Sequence, residues 1–155
     1  MKNLFFLFML VASLAVQAQT KIYNEEIDAM QQIQEATELA RQTDRYVLCQ
    51  VGGDWCPWCV RFAKFAATDS VVAPLIEENY VYIHVNYSKE NKNPEAMAFL
   101  GNPGRFGYPV FVILGSDGTP IHIQESESLE EGKGYSRKRV EKFLRLWSKK
   151  AVEEM

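Results

Sequence analysis

The chain has 155 residues, enough for one domain and too few for two of ordinary size. Hydrophobic residues make up 47% and charged residues 24%, which excludes a disordered chain. A net charge of −3 offers no basic footprint for nucleic acid, and three cysteines are too few for a disulfide scaffold.

Lys2 is the only charge before Lys21, and Leu4 to Val16 is almost wholly apolar. Val16-Gln17-Ala18 then offers small residues at −3 and −1 of a cleavage point. Together these describe a secretory signal peptide over residues 1–18, with a single domain over 19–155. The apolar run falls short of the roughly 20 residues of a spanning helix, so the mature form is expected not to span a membrane. Export places the cysteines in a compartment where disulfides persist. Their number is odd, so one is left over if two pair.

Asn24 to Arg45 carries Ile27, Met30, Ile33, Ala36 and Ala40 at helical spacing. Tyr46 to Val51 is short, apolar and β-rich, and reads as a buried strand that Gly52-Gly53-Asp54 breaks. A helix is expected from Pro57 to about Ala67, since proline suits the first helical position. Asp69 or Ser70 can cap a helix to about Asn79, with Pro74 near its first turn. Tyr80 to Asn86 alternates as a strand does, and Pro94 opens a short helix to about Leu100. A glycine-rich loop from Gly101 to Gly107 precedes a strand over Val110–Leu114. Ser116-Asp117-Gly118 marks a hairpin turn into a return strand over Pro120–Gln124. After a polar stretch, Ser136 is expected to cap a last helix carrying Val140, Phe143, Leu144 and Trp147 on one face. This order predicts an α/β fold, a mixed sheet with helices on both faces.

Cys56 and Cys59 stand three apart at the start of a predicted helix. There the free N–H groups and the helix dipole favour a thiolate, the attacking species in disulfide exchange. Cys56 is the expected nucleophile and Cys59 the resolving thiol. A zinc site would need four ligands, and only Cys49, His84 and His122 remain, without ligand spacing. Haem attachment would need histidine at position 60, which is Val60. A purely structural disulfide over so short a loop restrains little of the unfolded chain. No metal is expected, and no cofactor beyond the cysteine pair itself. Cys49 shares a strand face with Val47 and Val51 and reads as inert core filling. His84, His122, Tyr46, Tyr80 and Trp147 read as core or edge residues.

Trp55-Cys56-Pro57-Trp58-Cys59, with Gly107-Tyr108-Pro109 ahead of a strand, resembles the thioredoxin superfamily. The pattern is similar to exported bacterial thioredoxin-like proteins with a WCxxC site. The resemblance spans about Tyr46 to Trp147, and it implies the thioredoxin fold. It also implies that Trp55 flanks the site, and that Pro57 and Trp58 tune it. By the same resemblance, Pro109 is a cis-proline that leaves the backbone of Tyr108 to pair with a bound peptide. Arg105 and Phe106 lie in a loop that would border the site and could meet a partner. The implied activity is reduction of protein disulfides in the periplasm, fed by a membrane reductase or another dithiol protein. An oxidase that introduces disulfides, and a peptide-binding or chaperone module without turnover, are the alternatives.

Two positions depart from the family. Gln50 stands where thioredoxins carry a buried acid beneath the disulfide, and an amide accepts no proton at ordinary pH. Resolution by Cys59 is therefore expected to rely on water or another base, and Gln50→Asp to accelerate it. Pro57-Trp58 brings no formal positive charge to the thiolate.

Overall fold

A computed structural model describes residues 21–154. The elements run α1 (Ala29–Gln42), β1 (Tyr46–Gly52), α2 (Pro57–Thr68), α3 (Val72–Asn79), β2 (Tyr80–Asn86) and α4 (Pro94–Phe99). They continue with β3 (Val110–Leu114), β4 (Pro120–Glu125), β5 (Glu130–Glu131), β6 (Gly134–Tyr135), α5 (Arg137–Leu146) and α6 (Lys149–Glu153). The expected signal peptide lies outside the described residues. Among the described residues, no helix is long and apolar enough to cross a membrane.

The main sheet has the order β2-β1-β3-β4. β1 runs parallel to β2 and antiparallel to β3, and β3 and β4 form the closing hairpin. All seven residues of β1 are buried, because helices cover both faces of the sheet. On one face Ile33, Ala36 and Ala40 of α1 and Ala96 and Met97 of α4 pack on Val47, Cys49 and Val51. On the other, Phe62 and Ala66 of α2, Leu75 and Ile76 of α3 and Val140, Phe143 and Leu144 of α5 pack on Leu48, Phe111 and Ile113. The strand alternation seen in the sequence assigns residues to these two layers. Burying both layers is the main force that holds the sheet in place.

Three boundaries differ from the sequence reading. α1 starts at Ala29, not Asn24, because the Asp28 carboxylate accepts the Met30 and Gln31 N–H groups at 2.8 and 3.3 Å. It ends at Gln42, where Asp44 takes φ 54° and the Arg45 N–H bonds the Ala40 carbonyl at 2.9 Å. The polar stretch before the last helix holds the small β5–β6 hairpin, too short to show a strand period. The last helix breaks at Trp147, and the Ser148 hydroxyl caps α6 through the Ala151 N–H at 3.3 Å. Ser136 does occupy the N-cap position of α5, but its hydroxyl caps no N–H. The N-cap of α3 is Val71, not Asp69 or Ser70, and Asp69 instead braces the preceding turn, its carboxylate accepting the Val71 and Val72 N–H groups and meeting the Arg137 guanidinium at 2.8 Å.

The core readings for single residues agree with the packing. The Tyr80 hydroxyl donates to the Leu144 carbonyl at 2.6 Å, and Tyr46 reaches Glu153 at 3.1 Å. His122 stacks on Trp147 with ring centroids 3.9 Å apart. Cys49 is fully buried, and burial pushes its thiol well above the ordinary range. In the native, reduced protein Cys49 should therefore resist a thiol reagent until the chain is unfolded. Fast labelling at that residue, read by mass spectrometry, would contradict its burial.

Candidate active site

β1 ends at Gly52, and Gly53 to Trp55 turn the chain into α2. Cys56 is the N-cap of α2, with Pro57 as its first residue. The Cys56 Sγ accepts the Cys59 N–H at 3.2 Å, an interaction that grows stronger when the sulfur carries charge. Cys56 and Cys59 are joined as a disulfide with their Cα atoms 5.2 Å apart. Both cysteines are buried, Cys56 keeping 4% exposure and Cys59 none. This asymmetry fits an attacking Cys56 and a resolving Cys59.

Gly52 is glycine for a local reason. A Cβ there would collide with the Cys59 Sγ and stand 3.2 Å from the Tyr23 hydroxyl. Gly53 likewise leaves room for the Trp55 indole.

Of the residues inferred from the resemblance, Trp58 and Tyr108 pack against the buried cluster of Tyr23, Cys56 and Cys59. The Tyr108–Pro109 peptide bond is cis. Trp55, 54% exposed, donates its indole N–H to the Tyr87 carbonyl at 2.7 Å and meets the Tyr108 ring edge-on at 5.5 Å. Tyr87 stacks on Tyr108 at 5.1 Å. Trp55, Tyr87, Ser88, Lys89, Glu90 and Lys92 line a cavity of about 440 Å³ against this aromatic wall. Tyr87 carried no motif and was missed in the sequence.

Arg105 and Phe106 are placed differently from each other. The Arg105 guanidinium folds back onto its own loop, bonding the Gly101 carbonyl and the Asn102 carbonyl, the latter at 2.9 Å. It also lies over the Phe106 ring at 4.4 Å, and Phe106 is 47% exposed. Arg105 thus closes its loop, and Phe106 alone offers an apolar contact surface.

Trp58 is held from two sides that the sequence did not show. Tyr135 of β6 meets it edge-on at 5.5 Å and donates its hydroxyl to the Trp58 carbonyl at 3.2 Å. The Arg61 guanidinium sits 4.5 Å from the centre of the Trp58 ring. Trp58 itself brings no charge, but the helix turn around it holds a cation against its face.

Beneath the disulfide the arrangement is tighter. Gln50 is fully buried, and its amide nitrogen donates to the Tyr23 hydroxyl at 2.6 Å and to the Cys59 carbonyl at 2.9 Å. Its amide oxygen accepts from the Tyr82 hydroxyl. The Cys59 carbonyl can only accept, which fixes which end of the amide faces it. Aspartate at position 50 is one methylene shorter and has no N–H donor. It would remove the side-chain donor to the Cys59 carbonyl and bury a carboxylate, so Gln50→Asp is expected to lower the melting temperature, while the expected acceleration of resolution is read separately by stopped-flow rates. His84 pairs with Gln50 across β1–β2, between the Tyr23 and Tyr82 rings. Burial is the main cause that pushes its pKa down to about 4, against an opposing pull from Asp54, so it is neutral at neutral pH. Among the described residues, no group of three or more His, Cys, Asp or Glu is placed to hold a metal ion.

The comparisons agree with this geometry. A family model described as thioredoxin-like matches residues 28–116, more than half of the chain. Two solved structures share the fold. One is a disulphide isomerase from Xylella fastidiosa Temecula1, with TM-score 0.69 and 23% identity over 79% of this chain and 93% of that one. The other is a thioredoxin from Thermus thermophilus, with TM-score 0.54 and 22% identity over 77% of this chain and 85% of that one. No curated protein matches by sequence. With β1, the cysteine pair at the head of α2 and the proline turn before β3 all inside or beside the matched span, the chain belongs to the thioredoxin-like family.

Proposed function

We propose that this protein is an exported thiol–disulfide oxidoreductase that reduces protein disulfides in the periplasm. The observation that carries the reading is Cys56 at the N-cap of α2, its sulfur bonded to Cys59 and accepting the Cys59 N–H. In the reduced protein the Cys56 thiolate attacks one sulfur of a substrate disulfide. A mixed disulfide forms and the other substrate sulfur leaves as a thiolate that takes a proton from water. The Cys59 thiolate then attacks the Cys56 sulfur, and the second substrate sulfur leaves in the same way. The substrate disulfide gains two electrons and the Cys56–Cys59 pair loses them. A dithiol donor, either a membrane reductase or another dithiol protein, restores the pair.

The aromatic wall of Trp55, Tyr87 and Tyr108 gives an extended substrate a surface beside Cys56, and the exposed Phe106 could extend it. Export is supported by the apolar run from Leu4 to Val16 and the small residues Val16 and Ala18 after it. Equilibration in glutathione buffers tests the direction. A reduction potential near about −270 mV, the thioredoxin value, is expected, whereas one near about −120 mV, the value of the oxidase DsbA, would make the protein an oxidase.

A further inference from the structure

The family's buried acid is replaced here by an amide that is already fully engaged. Both hydrogens of the Gln50 side chain are donated, and its oxygen holds Tyr82. Gln50 therefore has nothing left to offer the Cys59 sulfur.

Tyr23 does. It is 1% exposed and packs with Cys56 and Cys59 in one small cluster. Its hydroxyl and the Cys59 Sγ converge on the same space, the one left empty by the missing side chain of Gly52. The hydroxyl oxygen accepts the Gln50 N–H at 2.6 Å, so its own hydrogen points away from that amide. Among the described residues the hydroxyl donates to no nitrogen or oxygen, and the Cys59 Sγ borders the same Gly52 gap. The segment before α1 holds the ring in place. The Asp54 carboxylate, in the turn that leads into Cys56, accepts the N–H of Ile22 at 3.0 Å and of Tyr23 at 3.4 Å.

We propose that Tyr23 is the partner of the resolving thiol, its phenol donating a hydrogen bond to the Cys59 sulfur when that sulfur is a thiolate. The inference rests on the reading of Cys56 and Cys59 as a working pair. The phenol stays a phenol throughout. Burial, offset in part by the Gln50 bond, pushes its ionisation far above neutral pH, so it donates and does not itself exchange the proton. The proton that leaves Cys59 goes to water. The other titratable groups around the pair supply no positive charge below the sulfur. Tyr82 donates to Gln50, Tyr135 lies on the Trp58 side, His84 is neutral, and the Asp54 side chain is taken up by the Ile22 and Tyr23 N–H groups. A thiolate buried there without a donor would be strongly disfavoured.

The test removes the turnover question first. In a Cys56→Ser background, the ionisation of Cys59 is read from its Cβ chemical shift by NMR across a pH series, which needs no reagent to enter the core. Tyr23→Phe keeps the ring and should raise the Cys59 pKa by about one unit or more, the effect of losing a hydrogen bond to a charged group. Difluorotyrosine at position 23 is a stronger donor of the same shape and should lower it. It also decides the matter if Tyr23→Phe does not fold. A Cys59 pKa indifferent to either change, whatever happens to the melting temperature, would overturn the proposal and leave Tyr23 as packing only. Failure of the exchange reading shows elsewhere. Cys59→Ser would then trap no mixed disulfide with a reducible protein substrate, while the Cys59 titration stays informative.

Discussion

Cys56→Ser should abolish reduction of a protein disulfide, with a loss of at least about a thousandfold, as expected for removing a covalent nucleophile. The hydroxyl occupies the same N-cap position and can still accept the Cys59 N–H, so the helix start survives. What disappears is a thiolate at neutral pH. Cys59 cannot take over the attack, because it is fully buried behind the first turn of α2. The measurement is the rate of thiol release from a disulfide-bonded protein, with thermal melting as the control for folding. A variant that retains the wild-type effect on its targets would identify a peptide-binding module that uses the surface around Tyr108 and Pro109 without turnover.

Phe62→Ala should cost about 3–5 kcal/mol of stability, the range for emptying a buried aromatic site. Phe62 is fully buried on α2, and its ring lies 4.4 Å from Phe111 of β3 and 4.8 Å from Tyr135 of β6. It joins the sheet to both the helix that carries the cysteines and the hairpin that braces Trp58. A loss of that size is a large part of the 5–15 kcal/mol that holds an ordinary domain. Urea unfolding should show a lower midpoint with an unchanged slope. A midpoint unmoved by the substitution would mean that this side of α2 is not packed as the distances state.

The active-site core was readable because its chemistry is local. Two cysteines at helical spacing behind a strand and a Gly-Gly turn place the pair at a helix N-terminus by backbone geometry alone. The proline turn was readable only through its likeness to a family, since a sequence by itself gives an X–Pro bond its ordinary trans form. Tyr23, Tyr82, Tyr87 and Tyr135 carried no signal. They come from the leading segment, from β2 and the residue after it, and from β6, and each reaches the site through tertiary packing. The bonds from Arg105 to its own loop's carbonyls were not legible for the same reason.

Length and cysteine count set the limits of the problem: 155 residues leave too little chain for two domains of ordinary size, and three cysteines allow one pair and a remainder. Alternation along the strands and periodicity along the helices determined the α/β layering, because burial rewards only one assignment of faces. The division of the cysteines into a bonded pair and a buried third thiol also followed from sequence, by spacing and by the company Cys49 keeps on its strand. Only the tertiary structure decided what stands beneath the disulfide. The place of the missing acid is held by an amide whose hydrogen bonds are all engaged, with a phenol from the N-terminal segment in the same buried cluster as Cys59. Residues 23, 50, 59 and 82 meet at that point because the fold brings a leading segment, two strands and a helix together, and no spacing along the chain encodes such a meeting.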